Sequence, residues 1–236
     1  MFYLGTSGWY YDHWKGLFYP EKIEKKDWLP YYSKKFNTVE VNASFYRLPF
    51  KNMVKGWYNK TPDNFLLTFK GSRIVTHRKK LKNVEDYLEK FYSRIQLSKE
   101  KLAVVLWQLP PFLKRNDEKL KNFLSILNKE IKQVVEFRHP SWFTKEVYKI
   151  LKKYDIGFCV VSCPDFSTPV ISTTDFAYIR WHGKDKWYRS NYSKKDLKKW
   201  ASKIKKLDVD EVYGYFNNDY NAYAPKNCLQ LKEMLK

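Results

Sequence analysis

Eight apolar runs of strand length recur along the 236 residues, separated by longer, lysine-laced stretches of helical period. The runs are MFYLGTS (1–7), TVEVNA (38–43), FLLTFK (65–70), LAVVLWQL (102–109), QVVEFR (133–138), IGFCVVS (156–162), FAYIRWH (176–182) and EVYGYFN (211–217). Helical patterns fall at 84–98, 117–130, 145–154 and 194–207, and a last one at 227–236 closes the chain. Strands alternating with helices pair in parallel through right-handed crossovers. The simplest closed arrangement of eight is a (β/α)8 TIM-barrel-like fold, predicted here as one domain over residues 1–236. An open doubly wound sheet is the alternative. The segment CPDFSTPVISTTD (163–175) carries turn residues and predicts a loop where a helix would be expected.

Strands in a parallel α/β sheet are covered on both faces, so their interior should be apolar. Several of these runs break that rule near their C-terminal ends. Side chains alternate with period two along a strand. Thr38, Glu40 and Asn42 therefore share a face opposite Val39 and Val41, and Thr68 and Lys70 oppose Leu67 and Phe69. Gln108 is in phase with Val104 and Leu106, and Glu136 and Arg138 oppose Val135 and Phe137. Tyr178, Arg180 and His182 oppose Ala177, Ile179 and Trp181. One polar face per strand predicts a barrel with a polar mouth, where Glu40, Lys70, Glu136, Arg138 and Arg180 project together. Desolvating an ion costs several kcal/mol, so buried charges gathered without a function are uneconomical. Three cations against two carboxylates suit an anionic ligand such as a phosphate or carboxylate.

The segments after the strands add further candidates. GTSGWYYDHWKGLFYP (5–20) supplies Ser7 and Trp9 in a glycine-containing aromatic loop, without the lysine and spacing of a phosphate-binding P-loop. FYRLP (45–49) supplies Phe45, and YFNND (215–219) supplies Asn217 and Asn218, which suit hydroxyl or phosphate-ester oxygens and equally suit a turn. His77 and His182 are candidate proton carriers beside the carboxylates.

The net charge is +20, from 45 Lys+Arg against 25 Asp+Glu. Only eight of those cations are arginine, and the lysines crowd the expected outer faces of helices, where they favour solubility. Lysine-rich segments 78–82 and 182–190 follow strands and are placed to rim the mouth. Cys159, Cys163 and Cys228 form no even framework and read as reduced thiols. The four histidines lie on separate segments, without the spacing of a zinc site. No cofactor is expected; one divalent ion on Glu40, Glu136 or Asp219 stays compatible with the residues. No GxSxG, GxGxxG or Ser-His-Asp order appears. With neither a signal peptide nor an apolar run of membrane-spanning length, a soluble, cytoplasmic protein is expected.

In this order, GTSGWYYDHWKGLFYP, VEVNASFYRLP, FLLTFKGSRIVTH, VLWQLPP, VEFRHPSW, YIRWHG and YFNND resemble the YecE-like family of domains of unknown function. The resemblance covers nearly the whole chain and implies a (β/α)8-like barrel. Its matching blocks contain the residues reached by strand parity and add Arg73 and Gly183. It also sets the barrel beside xylose-isomerase-like and endonuclease-IV-like proteins, though the scarce histidines argue against a tri-zinc centre. Trp181 is a departure, standing where a smaller aliphatic residue is expected, and by parity it faces the helices. The leading expectation is an enzyme for a small anionic substrate, a phosphorylated sugar or nucleotide. In it Arg138, Arg180 and Lys70 hold the anion, and Glu40, Glu136, His77 and His182 move protons. Hydrolase, lyase and isomerase chemistry all stay open. A nucleic-acid-binding protein using the basic surface and mouth aromatics is the alternative, and a non-catalytic ligand-binding barrel is a third.

Overall fold

All eight runs form strands: β1 (Phe2–Thr6), β2 (Thr38–Val41), β3 (Leu66–Lys70), β4 (Leu102–Gln108), β5 (Lys132–Glu136), β6 (Gly157–Ser162), β7 (Phe176–Trp181) and β8 (Glu211–Phe216). The computed structural model describes residues 1–166 and 168–236. Every pairing is parallel, in the order β1-β8-β7-β6-β5-β4-β3-β2, which gives a nearly closed (β/α)8 barrel. The helices around it are α1 (Trp28–Ser33), α2 (Ala43–Tyr46), α3 (Lys51–Asn59), α4 (Glu85–Ile95), α5 (Asp117–Ser125), α6 (Lys145–Lys153), α7 (Lys194–Ile204) and α8 (Tyr223–Leu235).

Helices α4 to α8 fall on the five helical patterns, with shifted ends. Caps set several of those ends. The side chains of Asn116 and Thr144 accept from Lys119 N–H and Val147 N–H, and Ser193 with Asp196 forms a capping box on α7. Helix α8 starts four residues earlier than its apolar period, because Pro225 fits in a first turn, where its missing N–H costs nothing. The short helices α1 to α3 have too few turns to show a period. Between β6 and β7 the described residues form no helix, as the turn-rich 163–175 segment predicts; Ser167 in that segment lies outside the described residues. Thr168 and Thr173 pin this connection to Val161 and Ile156 by their hydroxyls. No helix among the described residues is long and apolar enough to cross a membrane.

Strand parity sorts the side chains into two cores. Val39, Val41, Leu67, Phe69, Val135, Phe137, Ala177, Ile179 and Trp181 pack outward against the helices. Val104, Leu106, Val134, Cys159, Tyr178 and Tyr215 fill the barrel. At the N-terminal end Tyr3 stacks on Tyr213 with ring centroids 5.0 Å apart, next to the Lys132–Glu211 ion pair. Higher up, the Tyr215 hydroxyl bonds Thr38 Oγ1 (2.8 Å) and Thr68 Oγ1 (2.7 Å). The charged residues sit above this tier, at the C-terminal mouth.

Closure between β1 and β2 differs from the other pairings. Among the described residues it has one bridge, Ser7 to Glu40, with Gly8 N–H donating to the Glu40 carbonyl (2.8 Å). Below that bridge the Tyr32 hydroxyl of α1 stands in for the ladder. It accepts from Thr6 N–H (2.7 Å) and reaches the Thr38 carbonyl (3.2 Å). The backbones approach so closely that a Cβ on Gly5 would lie 2.2 Å from the Thr38 oxygen. Tyr32→Phe leaves a buried donor and acceptor without partners, and it is expected to lower stability by about 1–3 kcal/mol in urea unfolding. An unchanged midpoint would show that the hydroxyl does not join the seam.

Candidate active site

The polar residues of β2, β3, β5 and β7 converge above the tyrosine tier. Arg180 on β7 lies at the centre, almost fully buried. Its Nη1 donates to Glu136 Oε2 (2.6 Å), and its Nη2 donates to Glu40 Oε1 (2.6 Å) and Ser7 Oγ (3.0 Å). Glu40 is held further by the Ser7 hydroxyl and by Tyr178 Oη, which donates to Oε2 (2.6 Å). Asn42 Nδ2 donates to Ser7 Oγ (2.7 Å). On the other side, Arg138 Nε pairs with Glu136 Oε1. Two guanidiniums and two carboxylates thus alternate as one chain across the mouth. Arg180 Nε and Asn42 Oδ1 are buried without a partner among the described residues.

His182 closes the chain. Arg138 Nη2 lies 3.0 Å from its Nε2, and Arg180 Nη1 lies 3.4 Å away. A guanidinium can only donate, so Nε2 carries a lone pair, the proton sits on Nδ1, and the ring is neutral. Asn217 Nδ2 lies 3.0 Å from Nδ1, and turning that amide over presents its oxygen to the Nδ1 proton. Burial, followed by the two guanidiniums, holds the His182 pKa well below the usual imidazole value, in agreement with a neutral ring. Burial alone would raise the Glu136 pKa, but Arg138 and Arg180 outweigh it and hold the carboxyl well below the usual range. Burial and the nearby Glu40 charge push Tyr178 up, so it stays a proton donor. Burial and Glu136 likewise push up the Cys159 thiol, which lies 3.8 Å from Glu136 Oε2.

Lys70 stands apart from the chain. It ends β3 nearly buried, yet among the described residues its Nζ has no hydrogen bond and no carboxylate within 4.0 Å. The ammonium lies 4.0 Å from the centre of the Phe45 ring. Burial, then the Arg180 charge, lower its pKa to about 7 against the pull of Glu136 and Glu40. His77 packs edge-on to the same Phe45 ring at 5.1 Å, and its Nδ1 meets Thr76 Oγ1 at 2.8 Å. It belongs to a π-helical turn, Ile74–Arg78, closed by Lys79 N–H on the Ile74 carbonyl. Such turns are rare and frequent at functional sites. Burial first, then Lys70, Arg73 and Arg138, lower the His77 pKa to about 4.

A match to the family model described as "Protein of unknown function DUF72" runs over residues 3–236. The chain belongs to the DUF72 family. Relatives include the UPF0759 protein YunF of Bacillus subtilis, 28% identical over 271 residues, covering 100% of this chain and 95% of YunF. The UPF0759 protein YecE of Escherichia coli is 31% identical over 146 residues, 61% of this chain and 51% of YecE. A DUF72 protein structure from Thermotoga maritima superposes with a TM-score of 0.91 at 34% identity, covering 100% of this chain and 99% of that one. A DUF72 protein from Enterococcus faecalis, 20% identical, has the same fold with a TM-score of 0.85.

The remaining candidates divide. In this DUF72 chain Phe45, Asn42, Ser7 and Asn217 join the cluster, as described above. Gln108 ends β4 half-buried, and Arg73 precedes the π turn. Gly183 shapes the backbone: at φ +122° it starts the loop after β7, and a Cβ there would meet the Lys186 carbonyl at 2.2 Å. Trp9 lies in the outer core, edge-on to Trp57 of α3 at 5.8 Å. Asn218 is a buried clip, donating to the Ser190 carbonyl (2.8 Å) and Asn227 Oδ1 (2.9 Å). Asp219 pairs with His13, its Oδ2 lying 3.4 Å from Nε2. Among the described residues no three His, Cys, Asp or Glu side chains gather as a metal site. Trp181 faces outward and stacks on Phe216 at 4.4 Å, so its effect is on packing.

Two further residues take part in the cluster. Tyr178 shares the face of Arg180, as parity assigns it, and its hydroxyl reaches Glu40. Trp187, in the loop after β7, lies 4.8 Å from the Arg138 guanidinium and 5.4 Å from the His182 ring. Trp187 lies in the 182–190 segment expected at the rim, but composition alone does not mark it as the residue that covers Arg138.

Proposed function

We propose that this DUF72 barrel is an enzyme for a small anionic substrate, a phosphorylated sugar or nucleotide-like molecule bound at the mouth. The charge count carries this reading. Arg138 and Arg180 are balanced by Glu40 and Glu136, which leaves Lys70 as the cation of the cluster with no carboxylate partner among the described residues. A buried cation without a counterion favours an arriving anion. The Arg138 side chain, one-tenth exposed, and Arg73 extend the positive side. Arg180 acts as a brace that orders the two carboxylates. His77, neutral at pH 7, is the accessible proton acceptor beside Lys70. Isomerase, lyase and hydrolase reactions all need such a proton transfer.

Thermal-shift titrations with inorganic phosphate, sugar phosphates and mononucleotides test the reading. One or more should stabilise the protein saturably, and Lys70→Met and Arg138→Lys should each weaken that binding at least about tenfold. Anions that give no saturable shift, or binding indifferent to both variants, would end the proposal.

The rim supports a second reading. Exposed Phe50, Phe112 and Tyr220 follow β2, β4 and β8, and each is paired with a cation: Arg47 at 4.3 Å, Lys80 at 5.4 Å and Arg189 at 5.6 Å. Aromatic platforms alternating with cations suit single-stranded nucleic acid. Oligonucleotide binding that falls steeply with salt and survives Lys70→Met would move the function from the mouth to the rim.

A further inference from the structure

We infer that Lys70 is a covalent catalyst, whose amine attacks the carbonyl carbon of a substrate that also carries a carboxylate or phosphate, forming a Schiff base. The inference rests on the proposed anion site and narrows its substrates to anionic aldehydes and ketones.

The contrast with other lysines carries the assignment. Buried Lys101 is a structural cation: its Nζ donates to the Tyr58 carbonyl (2.8 Å), the Thr61 carbonyl (2.7 Å) and Thr61 Oγ1 (3.3 Å). Lys132, inside the opposite end of the barrel, pairs with Glu211. Lys70 alone of these three is buried at the mouth with no acceptor among the described residues, set against a ring face that offers no oxygen. Its carboxylate neighbours are fully engaged by Arg180, Arg138, Tyr178 and Ser7. Desolvation and adjacent guanidiniums favour the neutral amine, the form that reacts with carbonyls. The exposed edge of Arg138 and Arg73 are placed to hold the anionic group, and His77 lies across Phe45 to move protons.

The step balances without an external redox partner. The Lys70 nitrogen lone pair forms a bond to the carbonyl carbon, and the C=O π pair moves to oxygen. One nitrogen proton transfers to that oxygen through His77, giving a carbinolamine. A second proton, taken from solvent and relayed by His77, reaches the hydroxyl, water leaves, and the nitrogen lone pair forms the protonated C=N bond. The resulting cation sits between the carboxylate chain and the bound anion.

Reductive trapping tests this. The protein is incubated at neutral pH with glyoxylate, an aldehyde bearing a carboxylate, and sodium cyanoborohydride, and modified lysines are located by peptide mass. In parallel, inorganic phosphate is titrated by thermal shift. A surface lysine near pKa 10.4 holds a free-amine fraction about a thousandfold below that of a group near 7, so Lys70 should label at least about a hundredfold faster than surface lysines. Phosphate should protect it. Lys70→Arg should lose this fast labelling. Labelling spread over surface lysines, with Lys70 no faster and the phosphate shift intact, overturns the Schiff base and leaves the anion site standing. Absence of both fast labelling and phosphate shift overturns both.

Discussion

Arg180→Met is expected to destabilise the protein by about 3–5 kcal/mol at neutral pH, enough to unfold many domains of this size. Methionine fills a similar volume, so the loss is electrostatic. Glu40 and Glu136, both fully buried, would lose their 2.6 Å contacts with the Arg180 guanidinium. The sign with pH follows. In the native protein the Glu136 pKa lies well below 4.5, so its stabilisation is present above pH ~4.5 and is lost as pH falls through the folded value. In the variant an unpaired buried carboxyl titrates above its ordinary value, so acid neutralises it and relieves the cost. The gap between native and variant should therefore narrow between pH ~7 and pH ~4.5 in urea unfolding. Adding Glu40→Gln and Glu136→Gln to Arg180→Met should restore part of the stability. A gap independent of pH, or no recovery in the triple variant, would mean that Arg180 does not neutralise these carboxylates.

That network was legible in the sequence because a strand's period of two assigns each side chain to a face without knowledge of the rest of the fold. Glu40, Lys70, Glu136, Arg138, Arg180 and His182 all lie where parity puts them. The loops carry no such rule. Trp9 and Trp187 are both aromatic residues in glycine-containing loops, yet Trp9 packs on α3 and Trp187 covers Arg138. Asn217 and Asn218 are neighbours, but one meets His182 and the other clips α8. Which neighbour faces the mouth depends on the backbone path after β8, set by contacts far away in sequence. The seam between β1 and β2 was hidden for the same reason: Tyr32 completes it from a six-residue helix with no periodic signal. Charge pairing is also a three-dimensional property. Counting showed one surplus cation, whereas only geometry identifies it as Lys70.

Lys70→Met is expected to make the protein more stable while weakening anion binding. The native lysine titrates at about 7 in the fold against 10.5 unfolded. A base whose pKa is depressed on folding costs stability in full where both states hold the proton, below pH ~7. As pH rises from there towards 10.5, the unfolded state still holds the proton that the folded state has released, and the cost fades. Methionine keeps the volume and the contact with Phe45 but has no charge to bury. The variant should therefore gain about 2 kcal/mol or more at pH ~6, with the advantage shrinking steadily towards pH ~10 in urea unfolding. Stabilisation coupled to lost binding is the signature of a residue kept for function at the expense of the fold. If Lys70→Met were instead less stable than the native protein at pH ~6, Lys70 would be a structural cation with its charge already compensated. The surplus charge that supports both the anion site and the covalent role would then be gone.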